Sequence, residues 1–263
     1  MSAAPGIQLA CTSESYAPAL AAGRLTLADW LRRMAEDVGL GAVELEDGHI
    51  GPPEPDRLGA VRAAADRHGL TIVDVALMNN FGVADPDRCR AEQARTVEWM
   101  AGARRLRSRF LRTFAGWPEG DRAARWPAML EALRAVCRVA EREGVHLVME
   151  NHNHGGFVQR ADDVLAIFDA VRSPALALLL DTGNYVDGLA SIRRTAHLAR
   201  HVHAKFREVG PDGRDALVDH EPIMAELGRA GYRGWVSVEY EGEEPGETAV
   251  PRALAHLRTL LGQ

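Results

Sequence analysis

The 263-residue sequence predicts an α/β fold, a (β/α)8 TIM barrel built as a single domain. Three observations support this prediction. Short apolar runs alternate with amphipathic stretches eight times, and strands that alternate with helices form a parallel sheet. The length is close to the roughly 250 residues of one α/β barrel. No linker rich in Pro, Gly or Ser divides the sequence, so we assign residues 1–263 to one domain.

The eight apolar runs are predicted to be the strands of the barrel. An open, doubly wound sheet is the structural alternative, but its usual G-x-G-x-x-G motif does not follow the first run. Eight strand–helix units in a chain of this length therefore favour closure into a barrel. The predicted strands cover residues 7–11, 42–46, 71–78, 110–114, 146–150, 176–181, 201–206 and 236–240.

The predicted helices lie between these strands. In the first long one, the apolar residues from Leu27 to Val38 recur at spacings of three and four, which places them on one helix face. Thr26 is positioned to cap its N-terminus, and Gly39 is positioned to end it. The remaining helices are predicted from 55 to 68–69, from 85–86 onwards, around 129–137, and at 161–171, 192–198, 222–231 and 254–261.

Composition and charge exclude several classes of protein and partner. The formal net charge is -6, and a mildly acidic chain without a basic tract is a poor match for nucleic acid or an anionic membrane. No apolar run reaches the roughly 18 residues of a membrane span, and residues 1–15 show no secretory signal. Three widely spaced cysteines indicate reduced thiols. We expect a cytoplasmic protein that binds neither nucleic acid nor membranes.

Polar residues crowd the C-terminal ends of the predicted strands, and in a barrel these ends face one shared mouth. Burying an unpaired charge costs several kcal/mol, so Glu150 and Glu239, inside apolar strands, need a counter-charge or a metal. The polar residues at the strand ends are Glu44, Glu46, His49, Asn79, Asn80, Arg112, Thr113, Glu150, Asn151, His152, His154, Asp181, Asn184, His201, His203, Lys205, Arg207, Glu208, Glu239 and Glu241.

Carboxylates from strands five, six and eight and an imidazole from strand seven would form an oxygen-rich cation site. Carboxylates favour Mg²⁺ or Mn²⁺, and the histidine also allows Co²⁺ or Zn²⁺. A buried salt-bridge network, with Lys205 and Arg207 pairing the acids, is the alternative interpretation. For Asp181 taken alone, a role as the N-cap of a helix is as consistent with the sequence as metal binding.

Four segments in fixed order resemble the xylose-isomerase-like barrel family of sugar isomerases, epimerases and endonuclease-type enzymes. They are LVMENHNHGG, LALLLDTGN, HVHAKF and GYRGWVSVEYEG. The resemblance implies that Glu150, Asp181, His203 and Glu239 bind one divalent metal. It also implies that the two glutamates serve as acid and base in enediol chemistry on a ketose.

The chain departs from parts of this family. Asn184 stands three residues after Asp181, where many of the epimerases have a histidine. His152 matches an E-x-H pattern of other members, in which the histidine acts as a base. The endonuclease branch binds three metals with many histidines, whereas strands three and four here end without one. Together with the negative net charge, this argues against DNA repair.

Three functions therefore stay open. The first is a divalent-metal-dependent sugar isomerase or epimerase that transfers a proton through an enediolate, with Glu150 and Glu239 as the catalytic pair. The second is a metal-dependent lyase or dehydratase on a keto-sugar, keto-inositol or oxidised glycoside, with His152 as base. The third is a non-enzymatic barrel that binds a sugar or a metal within a larger assembly.

The expected partner is a small carbohydrate, and a homo-oligomeric state is left open. Trp117 is placed to stack on a sugar face, and Lys205 and Arg207 are placed to hold a substrate oxygen. The candidate substrate-binding residues are His49, Asn79, Trp117, Asn184, Lys205 and Arg207.

Overall fold

Eight parallel strands close into a barrel in the computed structural model, which describes residues 6–263. Each strand pairs with the next along the chain, and the last pairs with the first. The predicted barrel is therefore confirmed. Residues 1–5, which the predicted domain includes, lie outside the described residues. The strands are β1 (Gln8–Thr12), β2 (Ala42–Glu46), β3 (Thr71–Ala76), β4 (Phe110–Thr113), β5 (Leu147–Glu150), β6 (Leu176–Asp181), β7 (Ala199–Phe206) and β8 (Trp235–Tyr240).

Helices follow the strands and cover the outside of the barrel. The predicted N-cap is confirmed, because the Thr26 hydroxyl accepts a hydrogen bond from the Asp29 backbone N–H. Within residues 6–263, none of the helices has the length and apolar composition that a membrane span requires. The helices are α1 (Ala17–Ala21), α2 (Leu27–Glu36), α3 (Asp47–Ile50), α4 (Pro55–Arg67), α5 (Pro86–Leu106), α6 (Arg122–Glu143), α7 (Ala161–Val171), α8 (Leu189–Thr195), α9 (His220–Arg229) and α10 (Gly246–Leu261).

Two strands end earlier than predicted, because side chains accept the backbone hydrogen bonds there in place of a neighbouring strand. β3 ends at Ala76 and not at residue 78, because the Met78 backbone N–H donates to the Asp47 carboxylate at 3.1 Å. β4 ends one residue early, because the Phe114 N–H donates to the Asn79 side-chain oxygen at 2.8 Å. The short helices α1 and α3 were not predicted, since four or five residues give no detectable period.

The inside of the barrel changes from apolar to polar along its axis. Near the N-terminal ends of the strands, Ala10, Ala42 and Val73 form a small buried cluster against Trp235. Farther along the strands, buried charged residues replace these apolar ones. The polar half of the barrel therefore opens at the mouth that the C-terminal strand ends surround.

Candidate active site

Four consecutive strands bring the predicted metal-binding residues together at the mouth. Glu150 and Asp181 end β5 and β6, while His203 and Glu239 lie within β7 and β8. One ligand atom from each residue lies within 4.8 Å of the other three. All four side chains are buried. The geometry therefore matches that of a site for a single ion.

The backbone of β6 is held in place by the amide side chain of the residue that follows β5. The Asn151 oxygen accepts from the Asp181 backbone N–H at 2.9 Å, and the Asn151 amide donates to the Asp181 carbonyl at 3.0 Å. One carboxylate oxygen of Asp181 accepts from the Gly183 N–H at 2.7 Å. The other oxygen, Oδ2, is left to point into the site.

The four candidate ligand atoms share an uncommon property. Across residues 6–263, all four are buried and lie at ion-pair distances from charged neighbours, but none has a partner in hydrogen-bond geometry. Buried polar atoms are normally hydrogen-bonded, so such exceptions indicate strain, function or an ion. Three carboxylates and one imidazole suit a divalent cation. The atoms are Glu150 Oε2, Asp181 Oδ2, His203 Nδ1 and Glu239 Oε2.

Lys205 provides a positive charge beside this group. Its Nζ lies 3.2 Å from Asp181 Oδ2 and 3.0 Å from Glu241 Oε1, and it also contacts Glu239. The lysine part of the alternative salt-bridge network is therefore present. The arginine part is present as a single contact at the distance limit, since Arg207 Nη2 lies 4.0 Å from Glu241 Oε2. The network still leaves the four ligand atoms without hydrogen bonds.

Arg112 provides a second buried positive charge on the opposite wall. Its Nη2 lies 2.9 Å from Glu46 Oε2, and its Nη1 lies 3.2 Å from Glu150 Oε2. The guanidinium also lies over the Phe114 ring, 4.7 Å from its centroid. Sequence analysis placed Arg112 and Glu46 at strand ends without assigning them a role. The detectable signal was a charged residue at the end of an apolar strand.

A further layer of buried polar side chains lies below the candidate metal site. Glu44 Oε1 is 2.8 Å from His203 Nε2, and Glu44 Oε2 is 2.7 Å from His201 Nε2. Asp74, beside Glu44 on β3, has no hydrogen bond from its carboxylate to any residue in the range 6–263. Burial raises the pKa of Asp74 well above its usual range. Sequence analysis missed Asp74, although it is a single charge in an apolar run, like Glu150.

His152 forms part of an aromatic wall at the mouth. Its ring centroid lies 5.5 Å from that of Phe114, 5.1 Å from that of Trp117 and 4.9 Å from that of His154. Burial, followed by the nearby His154, lowers the pKa of His152 to about 4. Its Nδ1 finds no hydrogen-bond partner among the described residues. His152 is therefore a neutral imidazole at pH 7 and is able to accept a proton.

The environments of Glu150 and Glu239 push their proton affinities in opposite directions. Burial raises the pKa of Glu150, and Arg112 opposes this rise only in part. Burial acts on Glu239 too, but the charges of Lys205 and His203 outweigh it and hold its pKa well below the usual range. Two carboxylates whose pKa values are pushed apart by their surroundings are the common pattern of an acid and base pair.

A cavity of about 110 Å³ opens at the mouth beside these residues. His152 and Lys205 line it, whereas His49, Asn79, Trp117 and Arg207 are not among its lining residues. The lining residues are Glu14, Glu46, Met78, Arg112, Phe114, Glu150, His152, Lys205, Glu239 and Glu241.

The other predicted substrate-binding residues have partners within the protein. The Asn184 amide donates to Glu150 Oε1 at 3.2 Å, which places Asn184 beside a catalytic candidate. Asn79 is hydrogen-bonded to the Phe114 backbone. His49 Nδ1 lies 2.9 Å from the Ser13 hydroxyl. Direct contact of these residues with a substrate stays a prediction.

Curated relatives match part of the chain. An inosose dehydratase of Clostridium beijerinckii is 27% identical over 141 residues, and one of Geobacillus thermodenitrificans is 23% identical over 141 residues. Each match covers 44% of this chain and 47% of the relative. The alignment thus spans about half the length of these relatives.

Solved structures match nearly the whole fold. A 3-keto-D-glucoside 4-epimerase from E. coli has a TM-score of 0.78 at 16% identity, covering 96% of this chain and 99% of that chain. A D-psicose 3-epimerase from Clostridium cellulolyticum H10 has a TM-score of 0.75 at 18% identity, covering 93% and 89%. At such identities the likeness shows the shared fold.

A family profile covers most of the sequence. The profile described as xylose isomerase-like TIM barrel matches residues 32–260. This range includes strands β2 to β8 and all four candidate metal ligands. The chain belongs to the xylose isomerase-like TIM barrel family.

Proposed function

We propose that the protein is a divalent-metal-dependent sugar isomerase or epimerase that transfers a proton through an enediolate. The observation that carries this proposal is the group of four buried ligand atoms without hydrogen bonds, within 4.8 Å of one another. The epimerases among the structurally similar proteins support it as well.

The cation would be held by Glu150, Asp181, His203 and Glu239. The carboxylate ligands favour Mn²⁺ or Mg²⁺, and the imidazole is compatible with Co²⁺ or Zn²⁺. When bound, a divalent cation acts as a Lewis acid that polarises a substrate carbonyl and its neighbouring hydroxyl.

Glu150 and Glu239 would move the proton. They lie three strands apart in the ring and both line the mouth cavity, so they flank a substrate held there. One carboxylate takes the proton from the carbon next to the carbonyl, and the other carboxylate returns a proton. Return to the opposite face of the same carbon gives epimerisation. Return to the neighbouring carbon gives aldose–ketose isomerisation.

Lys205 would stabilise the negative oxygen of the enediolate. It lines the cavity beside Glu239, and it is buried. It is also the only lysine of the chain, since the other 30 of the 31 Lys and Arg residues are arginine. A compact ammonium is not interchangeable with a planar guanidinium, so a single lysine at this position supports a chemical role. Preorganised donors at a developing oxyanion contribute substantially to catalysis.

A lyase is the second candidate, and His152 is the observation that favours it. Its neutral imidazole lines the same cavity, and its Nδ1 is unpartnered within the described part of the chain. The imidazole would remove the proton from the carbon next to the carbonyl. The protonated imidazole would then give this proton to the hydroxyl on the following carbon, which leaves as water. The partial matches to inosose dehydratases also support this candidate.

Deuterium uptake from ²H₂O by ketoses, keto-inositols and oxidised glycosides tests both candidates. For the glutamate pair, Glu239→Gln should lower exchange by about 10²–10⁴-fold while His152→Ala retains a measurable rate. For the lyase, His152→Ala should be the more damaging change. Metal content is measured on each sample, because only a metal-loaded, inactive variant is informative.

Matched controls lie next to both residues. Glu241→Gln removes a half-exposed carboxylate that also pairs with Lys205, and His154→Ala removes an exposed imidazole beside His152. Both controls should exchange deuterium faster than the variants they match. Wild-type protein that binds none of the four metals, or that binds metal and sugar without exchange or turnover, would overturn the enzymatic proposal. The second outcome would favour a binding barrel.

A further inference from the structure

Glu44 is fully buried inside the barrel and joins β2 to β7 across the interior. One carboxylate oxygen lies 2.8 Å from His203 Nε2, and the other lies 2.7 Å from His201 Nε2. All three side chains are buried. Because both oxygens are engaged, the carboxylate is fixed between the two rings.

This contact decides which nitrogen of His203 faces the candidate metal site. A carboxylate only accepts hydrogen bonds, so His203 Nε2 must carry the hydrogen that Glu44 accepts. In the neutral imidazole the other nitrogen, Nδ1, then has a free lone pair. Nδ1 lies 3.2 Å from Glu239 Oε2 and 3.9 Å from Asp181 Oδ2.

The lower group of Glu44, His201 and His203 also has metal-ligand spacing. Its contacts nevertheless differ from those of the upper group. Here the carboxylate and both Nε2 atoms are already joined by hydrogen bonds. In the upper group, the facing atoms His203 Nδ1, Glu239 Oε2 and Asp181 Oδ2 have ion-pair contacts but no hydrogen bond within residues 6–263. The lower group is therefore already satisfied by hydrogen bonds, whereas the upper group keeps ligand atoms that are free of them.

We infer that Glu44 is a positioning residue of the metal site, which holds the tautomer and orientation of His203 so that Nδ1 binds the cation. The inference rests on the proposed metal-dependent function. Partners that accept the second N–H of a metal-binding histidine fix its ring and raise its basicity. Glu44 would do so from the far side of the barrel without touching the metal or the substrate.

Glu44→Gln is the first test, because it keeps the size and removes the charge. The amide oxygen accepts only one of the two Nε2 hydrogens, and the amide N–H₂ opposes the other. Loss of such a partner costs about 10–100-fold in metal affinity. We expect the Mn²⁺ Kd of Glu44→Gln to rise by this factor, and that of Glu44→Ala to rise further. The visible spectrum of the Co²⁺-loaded protein should also shift.

Asp74→Asn is the matched control. Asp74 is the register neighbour of Glu44 on β3, is equally buried, and makes no hydrogen bond to His203. Its Mn²⁺ Kd should stay within about threefold of the wild-type value, well below the 10–100-fold change expected for Glu44. Unfolding of all variants in EDTA reports their stability separately from metal binding.

Three outcomes would overturn the inference, and they are distinguishable. Unchanged Kd and Co²⁺ spectrum in a folded Glu44→Gln protein would show that Glu44 has no influence on His203. Wild-type protein that binds two ions, of which Glu44→Gln loses one, would make Glu44 a ligand. Wild-type protein that binds no divalent ion would refute the proposed function itself.

Discussion

Replacing Arg112 with methionine tests how the charges inside the barrel are balanced. The guanidinium lies 2.9 Å from Glu46 Oε2 and 3.2 Å from Glu150 Oε2, and all three side chains are buried. Methionine keeps much of the length and removes the charge. The two carboxylates would then share a buried region without their counter-charge.

The expected loss of stability follows from the burial of these ion pairs. Removing one partner of a buried ion pair destabilises a protein by about 3–5 kcal/mol. We expect the lower end, about 3 kcal/mol, because either carboxylate can take up a proton once Arg112 is absent. For a domain of this size, each kcal/mol lowers Tm by about 2–4 °C, so the expected decrease is roughly 6–12 °C. A carboxyl that needs a proton in the folded state makes this loss larger at pH 8 than at pH 5.

Urea and thermal unfolding in EDTA measure the effect. Arg104→Met is the matched control, since Arg104 forms an exposed pair with Glu143 and exposed pairs contribute about 0–1 kcal/mol. Saturating Mn²⁺ should restore part of the loss in Arg112→Met, because the cation would offset the charge of Glu150. A loss below about 1 kcal/mol, equal to that of the control, would refute this account of the interior charges.

Three further changes have measurable outcomes. Asp181→Ala should abolish the stabilisation by Mn²⁺, about 2.7 kcal/mol in wild-type protein at 100 times Kd, which thermal unfolding with and without metal detects. Burial lowers the pKa of His220 from 6.5 to about 4, so the unfolded state binds more protons in this interval and stability falls as the pH drops through it. His220→Phe should flatten that fall in urea unfolding, and an unchanged slope would contradict it. Gly116 and Gly120 both have positive φ, but only at Gly116 would a Cβ meet a neighbour, lying 2.2 Å from Asn80 Oδ1. Gly116→Ala should therefore lower Tm more than Gly120→Ala, and equal losses would rule out a clash.

The fold was predictable because its signals are local. Each strand is an apolar run that pairs with its sequence neighbours, so chain order alone gives the spatial order. The ends of β3 and β4 were less predictable. They depend on hydrogen bonds from Asp47 and Asn79, which are side chains of other loops. Such contacts leave no periodic pattern in the sequence.

The candidate ligands were predictable for a related reason. Glu150, Asp181 and Glu239 lie at or near the ends of strands whose C-termini face one mouth. Contacts across the barrel were not predictable in this way. Glu44 reaches His203 from β2 to β7, and which residues face each other there depends on the tilt and stagger of the strands.

The barrel interior holds more carboxyl groups than its own cations can neutralise. Two permanent cations, Arg112 and Lys205, face six buried carboxyl groups. In the metal-free protein, burial lowers the pKa of His203, but its carboxylate neighbours outweigh this and raise the pKa well above the usual value. A proton therefore occupies Nδ1 and adds a third positive charge, and a bound cation would displace it. The buried carboxyl groups are Glu44, Glu46, Asp74, Glu150, Asp181 and Glu239.

The excess of carboxyl groups has two consequences. It destabilises the metal-free barrel, and it would favour binding of a cation. Burial raises the pKa of Asp74 and Asp181 well above the usual range, so part of the excess is relieved by protonation. A divalent cation would relieve it instead through Asp181 and its neighbours, and metal binding generally displaces protons from its ligands. Because buried charges are costly when unbalanced, an interior that destabilises the metal-free barrel would also favour binding of a cation.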